Sequence, residues 1–218
     1  MRYFKIFIPL LSFLFLAGCA KKETFNNTAD KVGISRVIYF PIVSLNGERY
    51  VYVAVGTPYT EEGVEAKVGD ADVPFTTEGT VDTNTPGVYT LTYTAANSDG
   101  FTSSVVRTVA VYSTDASAAA NDFSGSYARS TNGSLAVWTK VAPGVYSVFN
   151  PGGAPGTNLT VVVFNATGNT IKIPPQQTND GNVTTSSEEL YTPGSPAKFQ
   201  WKIANPGYGT GLRMFTKQ

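Results

Sequence analysis

Residues 88–95 read Val88-Tyr89-Thr90-Leu91-Thr92-Tyr93-Thr94-Ala95, and their alternation decides the fold class. Tyr89, Leu91, Tyr93 and Ala95 share one side of an extended chain, while Thr90, Thr92 and Thr94 share the other. Successive side chains of a strand point to opposite faces, so this period of two predicts a half-buried β-strand. The same signal spreads outward. Residues 50–55 alternate Val51, Val53 and Val55 against Tyr50 and Tyr52, and residues 36–43 and 105–112 are β-branched and aromatic. Turn chemistry separates these runs: Asn46-Gly47, Gly56-Thr57-Pro58, Gly69-Asp70, Thr85-Pro86-Gly87 and Ser98-Asp99-Gly100. Short strands at close spacing, with no long helical period, predict an all-β sandwich.

The second half continues the pattern. Residues 134–141, 145–149, 159–164, 170–174, 198–204 and 212–216 are strand candidates, with turns at Asn132-Gly133, Pro143-Gly144, Asn150-Pro151-Gly152-Gly153 and Asn205-Pro206-Gly207. Hairpins in series predict a second antiparallel β-barrel or β-sandwich over residues 122–218. Residues 113–121, small and polar, read as the linker, and the polar stretch 176–189 reads as a long loop.

Composition narrows the chemistry. The chain has 218 residues with 16 basic and 16 acidic side chains, and this balance argues against a nucleic-acid partner. There is no His and one Cys, which excludes a His-based triad, a His-ligated metal, a CxxC pair and an internal disulfide. Asp70, Asp72, Asp82 and Asp99 do not form a calcium loop, and no cofactor is expected. Glu188 and Glu189 are the one acidic pair of the second half. As strand neighbours they would point apart rather than flank a bond, so no enzyme is expected.

The N-terminus carries an address. Arg2 and Lys5 precede a short apolar run through Leu16, well below the roughly 20 residues of a membrane span. This is the pattern of a signal peptide, residues 1–18. Its end, Leu16-Ala17-Gly18-Cys19, resembles the lipobox of bacterial lipoproteins. That resemblance implies cleavage before Cys19, acylation of its thiol with fatty chains such as palmitate, and a lipidated tether over residues 19–33. It places the protein in the bacterial cell envelope, on the outer membrane. Taking Arg2 and Lys5 from the 16 basic side chains leaves 14 against 16 acidic ones. The mature surface is therefore close to neutral.

Further residues carry a second resemblance. Gly56-Thr57-Pro58-Tyr59, Glu62-Gly63, Val81-Asp82-Thr83, Pro86-Gly87-Val88-Tyr89, Leu91-Thr92-Tyr93-Thr94-Ala95, Asp99-Gly100 and Arg107-Thr108-Val109 occur in this order. They resemble the bacterial Ig-like domain related to the hyalin repeat. The resemblance implies an Ig-like β-sandwich over residues 34–112, acting as a spacer or adhesion module. The whole layout is similar to small surface lipoproteins of glycan-utilising bacteria.

A neutral, aromatic-rich surface protein suits a neutral sugar, whose C–H face stacks on aromatic rings. Trp201 shares a strand face with Phe199 and Ile203, so core packing is expected for it. Trp138 is out of phase with Leu135, Val137 and Val141, so it is expected to face outward. Tyr191 and Tyr208 are loop aromatics. Trp138, Tyr191 and Tyr208 are therefore the candidate ligand-binding residues, with a polysaccharide as the expected partner and a surface protein as the alternative. Core or turn packing of these rings is the competing reading.

Overall fold

A computed structural model describes residues 31–32 and 35–218. The expected signal peptide, most of the expected tether and Cys19 lie outside the described residues. The described residues divide between two units, with the boundary between Ile38 and Tyr39. In the first, Lys31–Val32 (β1) pairs antiparallel with Ser35–Arg36 (β2).

The second unit is built almost entirely of strands, as the alternation predicts. Its first part contains two sheets. One has the order β3-β5-β6, from Ile42–Leu45 (β3), Val64–Val68 (β5) and Ala71–Asp72 (β6). The other has the order β4-β9-β8-β7, from Tyr50–Ala54 (β4), Thr102–Tyr112 (β9), Gly87–Ala96 (β8) and Phe75–Glu78 (β7). All neighbours are antiparallel except β4 and β9, which run parallel. This is an Ig-like sandwich. Leu91, Tyr93 and Ala95 are buried on the face that the alternation assigns to the core. Tyr89 donates its hydroxyl to the Thr85 carbonyl at 2.9 Å, four residues upstream, and so pins the corner into β8.

One charged side chain organises this sandwich. Arg107 in β9 is 1% exposed. Its guanidinium donates to the carbonyls of Glu48, Asn46 and Gly63, and its Nε lies 2.8 Å from the Glu61 carboxylate. Glu61 also accepts from the Tyr59 hydroxyl and from the Gly63 N–H at 2.9 Å. A buried cation is tolerable only when its charge is balanced, and here Glu61 balances it while three carbonyls take up the terminal nitrogens.

The second part is one eight-stranded antiparallel sheet rolled into a barrel. Its order is β13-β12-β11-β10-β17-β16-β15-β14. The strands are Gly125–Arg129 (β10), Leu135–Ala142 (β11), Val145–Phe149 (β12), Thr160–Phe164 (β13), Gln176–Gln177 (β14), Val183–Thr192 (β15), Lys198–Ala204 (β16) and Arg213–Lys217 (β17). The expected long loop at 176–189 is instead the hairpin of β14 and β15. Thr178, Asp180 and Asn182 bond one another across its turn, so a polar composition marks a tight, self-satisfied turn.

The sheet's two end strands, β13 and β14, are joined by a side chain. The Gln176 amide accepts from the Val162 N–H at 2.8 Å and donates to the Val162 carbonyl at 2.8 Å. A primary amide carries both a donor and an acceptor, so it substitutes here for a peptide group of a neighbouring strand. Along the same seam Ile173 pairs with Ser186, and Phe164 bridges Lys172.

The two parts pack together. Ala110, Tyr52, Val88 and Tyr112 of the sandwich form one apolar cluster with Val145, Val162, Val141 and Phe164 on the outer face of the barrel. The connection includes one helical turn, Ala116–Ala119 (α1), capped by Asp115. Lys140 donates to the carbonyls of Ala119 and Asn121, and the Gly168 N–H donates to Ser117. These bonds tie residues 115–121 to the barrel.

The Glu61 carboxyl sits below its ordinary range. Burial pushes it upward, but the bonds from Tyr59 and Gly63, the nearby Tyr93 hydroxyl and the charge of Arg107 outweigh that effect. A carboxyl depressed on folding stabilises the native state above its unfolded value of 4.5, and that contribution fades as pH falls through the folded value. Glu61→Gln should therefore be clearly less stable than wild type at about pH 7, with the gap narrowing towards about pH 3. Thermal unfolding of both proteins across that range checks this, and an unchanged gap would refute it.

Candidate functional site

The barrel interior is aromatic. Trp138 lies 5.5 Å from Trp201 in a stacked pair, with Phe199, Tyr127 and Tyr146 around them. Phe199 in turn stacks on Phe215 at 4.5 Å. Trp201 is buried as expected and donates its indole N–H to the Pro151 carbonyl at 2.9 Å.

Trp138 corrects the sequence reading. It is 2% exposed, and it is Leu135 that faces solvent. Ala136 and Trp138 form the inner face of β11, where the indole packs among Tyr127, Tyr146, Phe199 and Trp201. An indole removes more apolar surface from water than Leu or Val, so the face that carries it turns inward. Buried in this way, Trp138 offers no platform to a ligand.

Tyr191 is 7% exposed, and its ring stacks on Phe123 with centroids 3.9 Å apart. Its hydroxyl bonds that of Tyr127 at 3.2 Å. It lies in β15 rather than a loop, just past a β-bulge. Ser187 pairs with Lys202 and Leu190 with Gln200, leaving one extra residue on β15 between them. Glu188 takes up the bulge with a φ of 56° and pairs with Lys202 at 2.5 Å. Without the bulge Leu190 would face the core. With it, Leu190 turns out and Tyr191 turns in.

Tyr208 is half-buried in the Asn205–Gly209 loop. Its hydroxyl bonds Thr157 at 2.9 Å, and its ring rests on Gly152, where an added Cβ would strike it. The three candidate rings are thus not gathered into one patch. Cys19 lies outside the described residues.

One of the three does line a cleft. Beside the bulge, Phe164, Ile171, Leu190 and Tyr191 line an apolar wall, and Asn169, Thr170, Lys172 and Glu189 a polar one, around about 570 Å³. That size lies within the ~300–1,000 Å³ of small-molecule sites. Glu189 is oriented by a 2.6 Å bond from Ser186, whose hydroxyl also accepts from the Ile173 N–H at the barrel seam. The side chains of Asn169 and Lys172 have no partner among the described residues. Sequence reasoning found Tyr191 here but missed Asn169, Lys172 and Glu189, because the seam that assembles them forms between segments far apart in the chain.

Residues 43–111 match the family model of the bacterial surface protein Ig-like domain. The match falls on the sandwich, inside the span 34–112 that the motifs suggest, and accords with a cell-envelope location. No curated protein matches the sequence. The crystal structure of a lipoprotein from Bacteroides thetaiotaomicron aligns over 82% of this chain and 100% of that one, at 24% identity and a TM-score of 0.41. Superposition at that level is loose and carries no weight for function. Among the described residues no helix is long and apolar enough to cross a membrane, and no group of His, Cys, Asp and Glu is placed to hold a metal.

If the indole of Trp138 belongs to the core, Trp138→Ala should cost about 3–5 kcal/mol of stability. Urea unfolding measures this, and a loss near zero would return Trp138 to the surface.

Proposed function

We propose that this protein is a lipid-anchored, non-catalytic module of the bacterial outer membrane that binds an extracellular glycan at the barrel cleft beside Tyr191. The observation that carries this reading is the cleft's two-sided lining. Phe164 and Leu190 offer apolar surface to the C–H face of a sugar, with Tyr191 packed beneath them, while Asn169, Lys172 and Glu189 offer donors and acceptors to its hydroxyls. Pockets of this kind, apolar with a few convergent polar groups, are the ordinary form of a small-ligand site. The anchor is supported by Leu16-Ala17-Gly18-Cys19, where acyl chains on one thiol add about 0.8 kcal/mol per buried methylene. The Ig-like domain, packed firmly on the barrel, would hold the cleft away from the bilayer. The absence of His from the sequence and the outward Glu188–Lys202 pair leave the cleft without an evident catalytic dyad.

A second reading, a spacer that docks a surface protein, is favoured by one observation. Phe40 and Phe101 form an exposed ring pair 5.0 Å apart on the Ig-like domain, beside the exposed Ile42.

The test is a polysaccharide panel in affinity electrophoresis, using the mature chain with Cys19→Ala. At least one neutral polysaccharide should retard it. Asn169→Ala with Lys172→Ala, both on exposed positions, should weaken that retardation by about tenfold or more, equivalent to about 1.4 kcal/mol. Retardation by none, or retardation indifferent to these changes, would contradict the reading.

A further inference from the structure

The far end of the barrel holds two arginines with no counter-charge. Arg213 is 6% exposed and Arg129 is half-buried. Both contact the Tyr208 neighbourhood. Arg129 donates to the carbonyls of Gly152 and Gly153, Tyr208 packs on Gly152, and the Arg213 guanidinium lies 5.3 Å over the Tyr208 ring. Lys67, Arg107 and Lys202 each have a carboxylate partner, and neither Arg129 nor Arg213 has one among the described residues.

Their hydrogen bonds are weak substitutes. Arg129 reaches its two carbonyls at 3.3 Å, and Arg213 reaches those of Gly209 and Gly211 at 3.2 and 3.5 Å. Charge-assisted bonds to an oxyanion normally close to about 2.7–2.9 Å. The Nε of each arginine is buried without a hydrogen-bond partner. The Nε of Arg107 likewise makes no hydrogen bond of good geometry, but it has a carboxylate at 2.8 Å to balance its charge, and Arg129 and Arg213 have none. Two like charges near each other in a low-dielectric site repel, and burial followed by the Arg129 charge lowers the proton affinity of Arg213. A bound anion would relieve both the repulsion and the unanswered donors. The segment covering Arg213, residues 209–212, is exposed, so an anion could replace its long carbonyl contacts.

We propose that Arg129, Arg213 and Tyr208 form a binding site for an oxyanion, a carboxylate or sulfate group of the kind that acidic sugars carry. The oxyanion chemistry follows from the two guanidiniums; the choice of a sugar as its bearer rests on the glycan reading above. The planar guanidinium fork matches either group, and Tyr208, packed between Gly152 and Arg213, holds the Arg213 guanidinium in place. The protein would then hold a charged glycan at one end of the barrel and neutral residues at the cleft beside Tyr191.

Mature protein carrying Cys19→Ala, with ¹⁵N-labelled arginine, is titrated at constant ionic strength with trigalacturonate, with sulfate and with maltotriose. The Nε–H signals of Arg129 and Arg213 should shift and saturate with trigalacturonate but not with maltotriose. Arg129→Gln, and Arg213→Lys, which keeps the charge but loses the fork, should each weaken the response about tenfold or more. The unfolding midpoint of each variant is measured alongside, and the wild-type titration stands without them. Saturation with sulfate alone supports the oxyanion site and removes the acidic sugar. A linear drift without saturation means an adventitious ion only and overturns the site. Arginine signals unmoved by trigalacturonate and by sulfate, while maltotriose shifts the side-chain signals of Asn169 and Lys172 in a uniformly ¹⁵N-labelled sample, overturn the site and leave the glycan reading standing. Arginine signals unmoved by any of the three also overturn it.

Discussion

The side-chain amide of Gln176 holds the barrel's end strands together, and much else depends on that closure. It answers both the N–H and the carbonyl of Val162 at 2.8 Å, where an open edge would leave them to water or to another chain. Closure lets the inward faces of the strands meet around Trp138, Trp201, Phe199 and Phe215. It also sets the cleft. Phe164, Ile171 and Lys172 come from one side of the seam, while Glu189 and Tyr191 come from the other. Val162 serves two parts of the structure at once. Its backbone meets Gln176, and its side chain lies in the apolar cluster shared with the Ig-like domain.

The two lobes treat buried cations differently, and that difference separates structure from function. In the sandwich Arg107 is balanced by Glu61 and by three carbonyls of neighbouring turns, so it acts as a fixed strut. In the barrel Arg129 and Arg213 meet only distant carbonyls. A buried polar group with no partner is costly in any fold, and where two occur side by side a ligand is a natural remedy.

Much of the fold was legible in the sequence, for local reasons. The period of two in residues 88–95 gave the burial of Leu91, Tyr93 and Ala95, because a strand in a sandwich has one face in and one face out. Trp201 was assigned to the core for the same reason. What was not legible came from pairing between distant segments. The inward turn of Trp138 depends on the rings of Tyr127, Tyr146, Phe199 and Trp201 that surround it, the orientation of Tyr191 on a bulge at Glu188, and the seam on Gln176 finding Val162. Polar composition made residues 176–189 look like a loop, yet those polar groups bond one another and the seam. The arginine pair carries no local signal at all, since an isolated Arg in a strand is ordinarily a surface residue.

The closed barrel is tested most directly by hydrogen–deuterium exchange on the unmodified chain. The amide of Val162 should exchange as slowly as those of Phe199 and Trp201 at the centre of the sheet. Exchange as fast as the exposed turn at Asn179 and Gly181 would show the seam to be open. The core and the cleft derived from it would then lose their foundation.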